Sequence, residues 1–150
     1  MDANIIILAG AGAVLAGLAI GVGAMHSPAA RAYWFYAQLV LMVGIYAGFA
    51  LGGLELSDGI SRAEGSAVLI EALTGLAFVF VGLGVLQSGR TWLLGVLILL
   101  HGLVDLLHLL LGAAHSPAWY AFACVIYDAI AGAGAIWLLS ASNRGAEADN

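Results

Sequence analysis

The stretch TWLLGVLILLHGLVDLLHLLLGA, which runs from Thr91 to Ala113, decides the fold of this chain. It is apolar nearly throughout, and about 20 such residues in a helix cross the ~30 Å hydrocarbon core of a bilayer. Its ionisable side chains are His101, Asp105 and His108, at spacings of four and then three residues. These spacings place all three on one face of a helix. The stretch therefore predicts a transmembrane helix with one polar face.

Other stretches of the chain have the same length and the same apolar character. They predict four further transmembrane helices, at Asn4 to Ala24, Tyr33 to Leu54, Gly65 to Gln87 and Ala118 to Ser140. A barrel is excluded because the stretches lack the two-residue alternation of a barrel wall. We predict an all-α, polytopic membrane protein, with one five-helix bundle over residues 1–140 and a polar C-terminal tail over residues 141–150. The loops are short, so we expect consecutive helices to be antiparallel neighbours.

Composition excludes several classes of protein. Hydrophobic residues make up 63% of the chain and charged residues 9%, whereas a soluble domain carries roughly a quarter charged residues. The formal net charge is -5 and there is no lysine, so nucleic acid is not expected as a partner. The chain holds one cysteine, Cys124, which excludes an intrachain disulfide.

The arginines predict the orientation, because basic residues favour the cytoplasmic side of a membrane. Arg31, Arg90 and Arg144 fall on one side of a five-helix topology, and Arg62 falls on the other. We therefore expect the N-terminus outside, the C-terminus inside, and insertion in the lipid bilayer of the plasma membrane.

Glycine patterns suggest how the helices meet. Small residues recur in three of the stretches: Gly44, Gly48 and Gly52 in the second, Ala9, Ala13, Gly17 and Gly21 in the first, and Gly132 and Gly134 in the last. Stripes of small residues are the usual way in which helices approach each other in lipid. We expect them to pack helices within the chain, with a homo-oligomer through these glycine faces as the alternative.

Carboxylates and histidines inside the apolar stretches are the strongest functional signal. A charged residue at the bilayer centre costs at least ~2.5 kcal/mol on insertion scales, so such residues are functional by default. The stretches contain Glu71, His101, Asp105, His108 and Asp128. Counted from the predicted outer ends of their helices, all five lie between the outer interface and about the midplane. We expect them to form one outward-facing polar site.

A metal site is the first interpretation, because helical bundles hold transition metals with imidazole and carboxylate ligands. We predict Glu71, His101, His108 and Asp128 as ligands, with Asp105 as a bridging ligand or a catalytic general base. His101 and His108 lie about 10 Å apart along the axis, which favours two ions, or one ion and a histidine that orients a ligand.

The metal interpretation predicts iron, zinc, manganese or copper. The function expected from it is a membrane-embedded oxidoreductase or hydrolase acting on a lipidic or small apolar substrate. Haem is not expected, because His101 and His108 share one helix and cannot ligate opposite faces of one haem.

Other functions stay open on the sequence alone. Staggered carboxylates and histidines can move protons or cations, with Tyr46 and Tyr127 as hydroxyl stations. The same residues can also form a hydrogen-bonded network that only stabilises the bundle. An accessory structural subunit of a larger membrane complex is a further alternative.

Overall fold

The computed structural model describes residues 3–52, 62–111 and 117–148, and the secondary structure in these ranges is helical. The helices are α1 (Ala3–Met25), α2 (Pro28–Gly52), α3 (Arg62–Ser88), α4 (Leu93–Leu111) and α5 (Ala118–Ala148). Each is long and apolar enough to cross a membrane. The prediction of an all-α protein with five such helices is confirmed.

The helix ends differ from the predicted ends by up to three residues in α1, α3 and the start of α4, and by more at the start of α2 and the end of α5. Helix α2 begins at Pro28 rather than Tyr33, because the Ser27 hydroxyl accepts a hydrogen bond from the Ala30 amide and proline suits the first helical position. Helix α5 continues to Ala148, through most of the stretch predicted as a polar tail. The predicted ends at Leu54 and Ala113 lie outside the described residues.

Helices α4 and α5 form the central pair of the bundle. Backbone meets backbone between them, since a Cβ atom added to Gly95 would lie 2.6 Å from the Gly132 carbonyl oxygen, and one added to Gly132 would lie 2.9 Å from the Gly95 oxygen. Helix α1 packs on the outside of α5, and α2 pairs with α3. Helix α2 also contacts α4 and α5, which brings part of its face over the central pair.

Helix α1 packs mainly on α5, its partner at the other end of the sequence, and only slightly on α2. This differs from the expectation that consecutive helices are neighbours. Glycines on both helices explain the contact: an added Cβ at Gly12 would lie 2.5 Å from the Ala123 carbonyl oxygen, and one at Gly134 would overlap the side chain of Ile20. Close approach of this kind is the main source of helix association in lipid.

Arg31 ties these helices together at one end of the bundle. Its guanidinium donates hydrogen bonds to the carbonyl oxygens of Gly23, Ala24 and His26, at the end of α1, and to that of Leu138 on α5. The last carbonyls of a helix have no partner within the helix. Arg31 therefore caps α1 and joins it to α5.

The predicted small-residue stripes differ in their packing, because Gly132 and Gly134 of α5 lie against other helices, whereas the glycines of the α1 and α2 stripes do not. Within the described ranges, no neighbouring helix has an atom within 4 Å of a Cβ added to Gly44, Gly48 or Gly52, and the same holds for Gly17 and Gly21. The glycines of α1 and α2 in these stripes therefore face outward. A homo-oligomer through these faces stays a prediction.

The first testable prediction compares two glycines. Gly95→Ala is expected to lower the free energy of unfolding by about 1–3 kcal/mol, because the new methyl group would overlap the backbone of α5. Gly48→Ala is the matched control, since its methyl group would meet open space and alanine is the better helix former. Denaturant unfolding in detergent measures both. An equal loss for the two variants would contradict the packing described here.

Candidate metal centre

Helices α4 and α5 bring three ionisable side chains together in the interior of the bundle. His101 and Asp105 lie one turn apart on the inner face of α4, and Asp128 faces them from α5; their exposures are 3%, 0% and 0%. Gly102 makes the approach feasible, because a Cβ atom at that position would lie 2.9 Å from the Asp128 Cβ. We call His101, Asp105 and Asp128 the buried triad.

The ligand atoms of the buried triad lie close together. His101 Nδ1 is 2.8 Å from Asp128 Oδ2 and 3.6 Å from Asp105 Oδ2. One ligand atom from each residue fits within a 4.8 Å limit for all pairs. Ligand atoms around a tetrahedral ion with bonds of about 2.0 Å are roughly 3.3 Å apart. The distances between the triad's ligand atoms are therefore close to those around a metal ion. The His101–Asp128 distance is shorter because a hydrogen bond joins these two residues.

Three carboxylate oxygens of the triad have no hydrogen bond of ordinary geometry among the described residues. They are both oxygens of Asp105 and Oδ1 of Asp128. A buried polar atom without a partner costs about 1–3 kcal/mol, and one explanation for such an atom is an ion that binds there. The Tyr46 hydroxyl and the Asp128 carboxyl group both lie within reach of Asp105, so these oxygens can be satisfied by a shared proton as well as by a metal ion.

Glu71 and His108 form a separate pair. His108 Nδ1 lies 3.0 Å from the Val104 carbonyl oxygen, which can only accept, so Nδ1 carries a proton and donates. The other ring nitrogen, Nε2, lies 2.8 Å from Glu71 Oε1. Both ring nitrogens of His108 are thus engaged. We call Glu71 and His108 the outer pair, after the predicted orientation.

The five predicted site residues therefore divide into two groups. His101, Asp105 and Asp128 meet in the buried triad, and Asp105 is a candidate ligand there in the same way as Asp128. Glu71 and His108 contact each other, and neither belongs to the group of residues that could share one ion. The assignment of catalytic and ligand roles to individual residues stays a prediction.

Tyr46 of α2 connects the two groups. Its ring stacks on His108 with centroids 4.9 Å apart, and its edge meets the His101 ring at 5.7 Å. The side chain is 2% exposed. The sequence indicated Tyr46 only as a hydroxyl station, because nothing in the pattern of α2 shows which of its faces turns toward α4.

A small cavity lies between the outer pair and the triad. Its volume is about 10 Å³, which is room for about one water molecule. Polar side chains of Tyr46, Glu71, Thr74 and His101 contribute to its wall. Water in this cavity would have the two to four polar partners that buried water requires.

Comparisons with known proteins do not add to this description. No family model matches the chain, and neither the curated proteins nor the solved structures include a significant match. The functional argument therefore rests on the site itself.

The second prediction concerns the pairing of His101 and Asp128. Asp128→Ala, measured with chelator present, is expected to lower the free energy of unfolding by about 1–3 kcal/mol, because it leaves the buried His101 ring without its partner. His26→Ala is the control, since His26 is exposed beyond the end of α1, and a change within about 0.5 kcal/mol is expected. Denaturant unfolding in detergent measures both variants, and equal losses would contradict the pairing.

Proposed function

We propose that this protein is an integral membrane protein whose buried triad binds one transition-metal ion. The observation that carries the proposal is the convergence of His101, Asp105 and Asp128, which are buried and each offer a ligand atom within 4.8 Å of the others. Imidazole and carboxylate together suit iron, zinc, manganese and copper. The apolar surfaces of all five helices support the membrane location.

Charge balance supports a cation in this place. Two carboxylates and a neutral imidazole carry two negative charges, and uncompensated charge in a low-dielectric interior is strongly unfavourable. Either protons or a cation must therefore neutralise the triad. A divalent ion would restore neutrality by displacing about two protons, as metal binding to protonated ligands does.

A catalytic role is the less direct part of the proposal. His101 belongs to the triad and also lines the cavity, so the cavity would supply water next to the triad, and the Asp105 oxygen that does not bind the ion would act as general base. A lipidic or small apolar substrate would enter from the bilayer.

The third prediction tests metal binding. Wild-type protein purified in detergent without chelator is expected to carry close to one transition-metal ion per chain, measured by plasma mass spectrometry. His101→Ala and Asp105→Ala are expected to lose it, because each removes a ligand. His108→Ala is the matched control, since it removes a nearby histidine outside the triad. A wild-type protein that stays metal-free after metal is added back would overturn the proposed function.

A second candidate function is the movement of protons or cations, and one arrangement of residues favours it. Polar groups run from the outer pair through the cavity to the triad. Beyond the triad, the Tyr127 hydroxyl donates to Gln38 Oε1 over 2.9 Å. Gln38 lies eight positions before Tyr46 on α2, about 12 Å along the axis. The hydrogen bond between Tyr127 and Gln38 would therefore extend the series of polar side chains toward the opposite end of α2.

The fourth prediction separates this candidate from metal binding alone. If the protein conducts protons, proteoliposomes with a pH-sensitive dye should show faster flux than empty vesicles, and Gln38→Leu should reduce the excess at least tenfold. His26→Ala should leave it unchanged, because that side chain is outside the polar groups. Equal flux with and without the wild-type protein would remove this candidate.

A further inference from the structure

The position of Tyr46 relative to the buried triad is unusual for a core tyrosine. Its hydroxyl approaches the Asp105 carboxylate, and its ring is held by edge contacts with His101 and Tyr120 and by stacking on His108. Rings packed on several sides have little freedom to turn. The packing of its ring therefore holds Tyr46 beside the triad.

The donor atoms around this point form a consistent set. The triad offers one imidazole nitrogen and carboxylate oxygens from two residues, and Tyr46 adds a phenol oxygen beside one of them. Oxygen anions are hard ligands that suit hard cations, and a tyrosine phenolate is one of the protein ligands that hold iron. Three of the four donors would be anionic with a ferric ion bound.

We propose that the Tyr46 hydroxyl is the fourth ligand of the site and that this donor set selects a ferric ion. The inference rests on the proposed function, because it names the metal class of the same site. With a neutral imidazole, two carboxylates and a phenolate carry three negative charges, which a trivalent ion neutralises. Burial favours this neutral combination over one with residual charge.

Protons balance in this binding step. Starting from two protonated carboxyl groups and the neutral phenol, the ferric ion displaces three protons, one each from Asp105, Asp128 and Tyr46, and these leave to solvent. No electron is transferred, because the iron enters as ferric ion. With a divalent ion the phenol keeps its proton, and the triad alone neutralises the charge.

The experiment compares wild type with Tyr46→Phe, each loaded with ferric citrate or with zinc chloride in detergent. A ferric ion bound to phenolate absorbs visible light by charge transfer from the ring to the metal, so the wild type should be coloured and Tyr46→Phe colourless. The affinity for ferric ion should fall at least tenfold in Tyr46→Phe. The affinity for zinc should change less than threefold, because zinc uses the triad alone.

Tyr120→Phe is the matched control. Its ring belongs to the same aromatic cluster, in edge contact with Tyr46 and Phe49, but it is not proposed as a ligand. Tyr120→Phe should keep both the colour and the ferric affinity. Resonance Raman spectra of the iron-loaded wild type, excited in the visible band, should show phenolate ring modes, and this measurement decides the matter even if Tyr46→Phe does not fold.

The outcomes separate this inference from the proposed function. If zinc or ferric ion binds equally well to wild type and to Tyr46→Phe and no visible band appears, Tyr46 is not a ligand, while metal binding by the triad stands. If the band persists in Tyr46→Phe, another phenolate supplies it and the inference is overturned. If neither metal binds to the wild type, the proposed function fails and this inference fails with it.

Discussion

Neutralising the charged groups inside an apolar bundle is the constraint on which the rest of this structure depends. His101 and Asp105 lie on α4, at a place where water cannot solvate them, so partners must come from other helices. Helix α5 supplies Asp128, which requires the glycine at position 102. Helix α2 covers the site with Tyr46. The close α4–α5 pairing and the position of α2 are therefore both adapted to these buried side chains.

Apolar length and composition are enough to predict five helices, but they do not determine which helices touch. Only α4 has a polar face that marks its inward side, and the other stretches are apolar around most of their surface. Glycines mark close contacts only when another backbone lies opposite, as at Gly95 and Gly132. Gly44 and Gly48 have the same spacing signal and no such neighbour. Which helices are neighbours therefore depends on how pairs of helix surfaces fit together, and a single sequence does not show this.

The candidate site was predictable only in part, because the sequence does not show which helices supply the partners of its residues. Helical spacing puts His101, Asp105 and His108 on one face, yet seven residues also separate the first from the last by about 10 Å along the axis. The part of that face at His101 meets α5 and its Asp128, and the part at His108 meets α3 and its Glu71. Counting residues from the predicted outer ends of the helices also places Glu71 and His108 closer to the outer end than the triad. No sequence pattern indicates that Tyr46 faces the site, because this depends on how α2 is rotated about its axis.

The contact between α1 and α5 has a consequence for how the protein is made. Helices enter the bilayer in order of synthesis and associate afterwards. In the proposed membrane location α1 would enter the lipid first, but its close contacts are with α5: Gly12 packs on Ala123, and Arg31, which caps α1, binds the Leu138 carbonyl. Helix α1 would therefore lack its main partner until α5 has been synthesised. The close packing of the bundle would then follow the insertion of its last helix.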